Sequence, residues 1–172
     1  VPVSIFTIQK KKWTNFWIHL EMLYGISQMD LFNIDNLYGE QILEHSRNPR
    51  NNFILDVFDA QADAINPFCG DEVSIQLKLG ASHIKNLGVQ TIGCSINIAS
   101  ASMMSVTIVG KTLPEIGEIQ KQFYRFMAGE ELPDKQIKLL GNLINLAPVL
   151  EFPIRIKCAL LPWTALDDAL SK

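Results

Sequence analysis

Glu72–Leu79 alternates residue by residue: Val73, Ile75, Leu77 and Leu79 are apolar, and Ser74, Gln76 and Lys78 are polar. Period-two patterning of this kind belongs to a strand with one buried and one solvated face. Gly80-Ala81-Ser82 supplies a turn and Ile84–Thr91 a second strand-like run, so residues 72–91 are predicted to form an antiparallel hairpin. The hairpin constrains the rest of the chain in two ways. Its apolar face needs a cover, and its open end brings the segment before residue 72 beside the segment after residue 91.

The cover is predicted to be helical. After Gly93 the pattern is that of a helix from Ser95 to about Val109, rich in small residues (Ala99, Ser100, Ala101, Ser102) and closed by Gly110. The small run and Met103-Met104 read as close helix packing. Thr112 and Glu115 make a capping box around Pro114, and the helix they open has Ile116, Ile119, Phe123 and Met127 as its core face and Gly129 at its end. A further helix is expected over about 134–146, loosened at Gly141. The last helix lies within 154–171, with Trp163 as a core anchor, and Pro162 leaves its start open. Upstream, 35–46 reads as a helix with Leu37, Tyr38, Ile42 and His45 near one face, stopped by Asn48-Pro49-Arg50-Asn51. Residues 53–59 are expected to form a short strand.

Residues 1–28 differ in character. Trp13, Phe16, Trp17, Leu20 and Tyr24 fall at helical spacing, and Lys10, Lys11 and Lys12 against Glu21 give the segment a net charge of +2. It is expected to be an artefactual or loosely attached extension of the domain at 29–172, with a membrane-surface helix as the alternative. The remainder carries a net charge of −5. An acidic body without a basic, aromatic-interleaved stripe argues against nucleic acid as a partner. No apolar run reaches membrane-helix length, so no membrane partner is expected. Hydrophobic residues are 48% of the chain, enough for a core without covalent staples. Three cysteines, an odd number, fit a reducing, cytoplasmic setting better than a disulfide framework.

The three thiols are therefore chemical candidates. Cys69 lies in Asn66-Pro67-Phe68-Cys69-Gly70-Asp71 just before the hairpin, Cys94 in Gly93-Cys94-Ser95 just after it, and Cys158 in Arg155-Ile156-Lys157-Cys158 near the start of the last helix. Each is expected at an element boundary. Unpaired helix N–H groups, and Arg155 and Lys157 for Cys158, would favour the thiolate there. The hairpin makes Cys69 and Cys94 neighbours, and Asp71 can add a carboxylate. Three thiolates and a carboxylate suit zinc, and thiolates also suit an iron–sulfur cluster. The spacing matches no zinc-finger pattern, so position alone leaves two readings open: one shared site, or three separate buried thiols. His45 reads as structural, and His19 and His83 as solvated.

Three motifs in order decide between those readings. Asn66–Asp71, Gly93-Cys94-Ser95 through Met104, and Phe152-Pro153 through Cys158 to Trp163 together resemble the SufU family, related to IscU and to the NifU N-terminal domain. His45 with Asn48-Pro49-Arg50-Asn51 resembles the family's opening signature, and the match runs from about 35 to 170. The resemblance implies an α+β fold, a small three-stranded antiparallel sheet packed against helices. It implies Cys69, Asp71, Cys94 and Cys158 as metal ligands, holding zinc in SufU-type proteins and a [2Fe–2S] cluster in IscU-type ones. It implies that Cys69 accepts persulfide sulfur from a SufS-type cysteine desulfurase, for delivery to downstream iron–sulfur assembly proteins. The activity would be at most that of a sulfurtransferase. IscU-type proteins have His before the last Cys, where this chain has Lys157, and SufU-type proteins carry an insertion that residues 129–150 would supply. Both features point to the sulfur carrier. The alternatives are a scaffold for a labile [2Fe–2S] cluster and a zinc-stabilised interaction module.

Overall fold

The structure is a computed structural model, and it describes residues 39–171. The expectations for residues 1–28, and for Leu37 and Tyr38, fall outside the described residues. The order is α1 (Glu40–Arg47), β1 (Ala60–Asn66), β2 (Asp71–Leu79), β3 (Ile84–Ile92), α2 (Ser95–Ile108), α3 (Leu113–Met127), α4 (Asp134–Leu140), a 3-10 stretch (Gly141–Glu151) and α5 (Pro153–Leu170). This is the expected α+β architecture.

The three strands form one antiparallel sheet in the order β1-β2-β3. The hairpin sits at the predicted residues, and its apolar side chains line up across the sheet. Ala62, Ile75 and Val89 form one inward row, and Ala60, Leu77 and Leu87 the next. Leu79 departs from the pattern: the register shifts between Lys78 and Leu79, and Leu79 is partly exposed. α5 packs over β1 and β2, and α2 over β3. The inward residues of β1 are alanines because α5 lies over them.

The strand expected at 53–59 is not there. That stretch is irregular and crosses the outer side of the sheet: the Asn51 carbonyl accepts from Val89 N at 2.8 Å, and Gln76 Oε1 accepts from Leu55 N at 2.9 Å. Its Phe53, Ile54, Val57 and Phe58 are exposed. The third strand comes instead from Ala60–Asn66, whose alanines give little β signal.

α2 is the central helix, buried on nearly every side. Its small residues let neighbours approach, and its serines bond to them. Ser100 Oγ donates to the Ala159 carbonyl at 2.6 Å. Ser102 Oγ meets His45 Nδ1 at 2.8 Å and accepts from Arg50 N at 2.8 Å. Asn51 Nδ2 donates to Ser105 Oγ at 3.0 Å. The Asn-Pro-Arg-Asn turn is thus fastened to α2, with His45 in the structural role expected of it. Arg50 also pairs with Glu44. The capping box at Thr112 and Glu115 opens α3 as predicted. Gly141 ends α4 at φ +52°, and the chain continues as a 3-10 stretch. Trp163 is wholly buried and stacks on Phe123 at 5.0 Å between ring centroids. Among the described residues, no helix is long and apolar enough to cross a membrane.

Candidate metal centre

The inward face of the sheet changes chemistry at one end. Its last row is Asn66 paired with Asp71, two polar residues where every other row on β1 and β2 is apolar. Both are buried, at 5% and 2% exposure. Burying an amide and a carboxylate is costly unless each finds partners, so this end of the core must satisfy them.

Asn66 does so by building the turn. Its side-chain oxygen accepts from Phe68 N at 3.1 Å, and its carbonyl accepts from Gly70 N at 2.8 Å. Asparagine side chains commonly form such turns. Gly70 completes it at φ +71°. The turn carries Cys69 outward, exposed, while Asn66 Nδ2 reaches inward to Cys158 Sγ at 3.9 Å. From the sequence, Asn66 stands out only as part of a motif. Its position ahead of proline and two residues before an amide it can cap is the signal that could have marked it.

Asp71 opens β2. Its Oδ1 accepts the Cys94 backbone N–H at 2.9 Å, and Oδ2 lies 3.4 Å from Cys94 Sγ. Gly93 makes this approach feasible. A Cβ there would lie 2.3 Å from Asp71 Oδ1, and the residue has φ +146°, which side-chain-bearing residues rarely adopt. Cys94 is the N-cap residue of α2. Burial pushes the Asp71 carboxyl up, but hydrogen bonds from Cys158, the Cys94 N–H, Cys69 and the Cys94 thiol outweigh it and hold the pKa low.

Cys158 departs from expectation. It is fully buried and lies more than a turn inside α5, so no unpaired helix N–H faces it. Its thiol pKa is raised, first by burial, then by the Asp71 carboxylate and the neighbouring cysteines. Lys157 does not offset this; its ammonium sits over the Phe68 ring, 3.9 Å from the centroid. The Cys158 and Cys69 sulfurs are 3.7 Å apart. Arg155 is half-buried in the first turn of α5.

The four residues read from the sequence therefore meet at one place. One donor atom each from Cys69, Asp71 and Cys158 lies within 4.8 Å of the others. Cys94 stands outside that trio and joins through its two contacts with Asp71.

The same stretch of chain has relatives. Residues 37–169 match the NifU-like N terminal domain family. The chain belongs to that family. It is 39% identical over 140 residues to the zinc-dependent sulfurtransferase SufU of Bacillus subtilis, covering 81% of this chain and 93% of that protein. It is 35% identical over 144 residues to the iron–sulfur cluster assembly scaffold protein IscU of Streptococcus pyogenes, covering 84% and 89%. A crystal structure described as a SUF-system iron–sulfur cluster assembly scaffold, from Fervidobacterium islandicum, superposes with TM-score 0.74 at 31% identity, over 80% of this chain and 99% of that one. The N-terminal part of a NifU-like protein from Brucella abortus shares the fold at TM-score 0.72 and 24% identity, over 80% and 94%.

The donor set fits a thiophilic dication. Soft sulfur with one carboxylate is a set that zinc accepts. The Cys158 thiol pKa is raised first by burial and then by the Asp71 carboxylate and the neighbouring cysteines, and a bound cation would favour its thiolate against both.

Proposed function

We propose that this member of the NifU-like N-terminal domain family serves iron–sulfur cluster assembly on its sulfur-delivery side. It takes persulfide sulfur from a SufS-type cysteine desulfurase in the cytoplasm and passes it to downstream assembly proteins. Cys69, Asp71, Cys94 and Cys158 hold zinc. The observation that carries the reading is the unequal burial of the thiols: Cys69 is exposed, Cys94 half-buried and Cys158 buried. A group that must meet another protein's sulfur has to be the accessible one.

When bound, zinc keeps the clustered sulfurs as thiolates and balances their charge. The chain's own residues do the rest. Asp71 is fixed by the Cys94 N–H, and Cys158 is enclosed in the core. The Asn66 turn presents Cys69 to solvent. Its thiolate attacks the terminal sulfur of the desulfurase persulfide. A sulfur–sulfur bond forms to Cys69 as the one to the desulfurase breaks, and the desulfurase cysteine leaves as thiolate. The proton on the transferred sulfur travels with it, so no oxidant or reductant is consumed.

The B. subtilis relative, named a zinc-dependent sulfurtransferase, supports this reading. So does Lys157, an ammonium where the IscU-type pattern has an imidazole. Thiolate donors and the S. pyogenes scaffold relative favour a second reading, a carrier of a labile [2Fe–2S] cluster. Desulfurase turnover, measured with and without this protein, tests the first. Wild-type protein is expected to accelerate turnover and Cys69→Ala to abolish the acceleration. Unchanged turnover with wild type, or full acceleration by Cys69→Ala, contradicts it. Gently purified protein should carry about one zinc per chain and little iron, as a single four-ligand site requires; iron and sulfide in place of zinc would favour the cluster reading.

A further inference from the structure

The residues immediately before Cys69 and Cys158 touch each other. Phe68 is 75% exposed, a large ring left in solvent, and the Lys157 ammonium lies 3.9 Å from its ring centre. An ammonium over an aromatic face is attracted by the ring quadrupole. The two partners belong to different elements: Phe68 rides on the β1–β2 turn, and Lys157 on α5. The contact therefore spans the gap between the two segments whose sulfurs lie 3.7 Å apart.

We infer that the Phe68–Lys157 pair is a latch that seats Cys69 against Cys158, making both side chains positioning residues for sulfur acceptance. Inward, the turn meets Cys158 through the Asn66 amide and the Cys69 sulfur, and its outer half is held to α5 by the latch. Both partners are exposed, so a protein docking at Cys69 can take either one and free the turn without disturbing the core. The purpose assigned to the latch rests on the sulfur-acceptor reading; its geometry does not.

The pairing of the sulfurs tests the latch without metal or desulfurase. Metal-free, reduced protein is treated with diamide, which takes up the two electrons and two protons released as Cys69 and Cys158 join, and the disulfide is mapped by mass spectrometry. An exposed cation–π contact corresponds to about a two- to five-fold population change. Phe68→Leu and Lys157→Met should each slow the Cys69–Cys158 crosslink by about that factor, and Lys157→Arg should stay near wild type. The double variant should be no slower than the slower single one, because both remove the same contact. Wild-type rates in both single variants, or additive slowing in the double, overturn the latch. In zinc-loaded protein, Phe68→Leu should speed iodoacetamide labelling of Cys69 by the same factor, and labelling at the wild-type rate counts against the latch. If wild-type Cys69 labels equally fast with and without zinc, the zinc reading fails, and the crosslink rates still decide the latch.

Discussion

Gly93 shows how far a single residue can be committed by its neighbour. A methyl group there would overlap Asp71 Oδ1, so Gly93→Ala must move the carboxylate that receives the Cys94 N–H. The backbone at φ +146° adds strain of about 1–3 kcal/mol. Urea unfolding of Gly93→Ala should show a loss of that order, and zinc content should fall with it; full zinc content would mean that Asp71 is not needed at the site. The chemistry-bearing residues are legible through the three motifs that carry the family resemblance; their positions beside a hairpin leave three separate buried thiols equally open. Asn66 and Phe68 are less legible. Their roles depend on what α5 brings against them, and nothing local to residues 66–68 says that Lys157 and Cys158 will be there. The expected acidity of Cys158 fails for a related reason: proximity to the start of a helix suggests exposure to helix N–H groups, whereas the residue lies deeper and is buried.

At the scale of elements, periodicity carries the prediction wherever one face is apolar and the other wet. The β2–β3 hairpin and α3 have that contrast, and both stand where the pattern puts them. β1 lacks it, since its inward side chains are alanines, while the exposed apolar residues at 53–58 imitate a strand. The α3 start is held by its cap: Thr112→Ala, which removes the hydroxyl that accepts from Glu115 N and leaves the Thr112 N–H bond to the Glu115 carboxylate, should cost about 1 kcal/mol in chemical denaturation. Phe123→Ala removes the ring that stacks on Trp163 and should cost about 3–5 kcal/mol. Equal losses for the two variants would mean that the end of α3 contributes as much as its core face.

The molecule as a whole joins a buried core to an exposed thiol. One tie between that core and the opening motif is a titratable side chain. His45 is held below its ordinary pKa of 6.5, first by burial and then by Arg50, although Glu44 opposes the shift. The folded state therefore binds a proton less readily than the unfolded chain. Stability from this group is complete above about pH 6.5 and is lost as pH falls through the folded value. Thermal melts should show that decline, and His45→Gln should flatten it; an unchanged decline would assign it to other groups. Sulfur acceptance at Cys69 is what ties this architecture to its proposed function. The most direct measurement is peptide mapping of the protein after a short incubation with a SufS-type desulfurase and cysteine. The added mass of one sulfur atom is expected on Cys69, with Cys94 and Cys158 unmodified. Sulfur distributed equally over the three cysteines, or found on Cys158 alone, would contradict it.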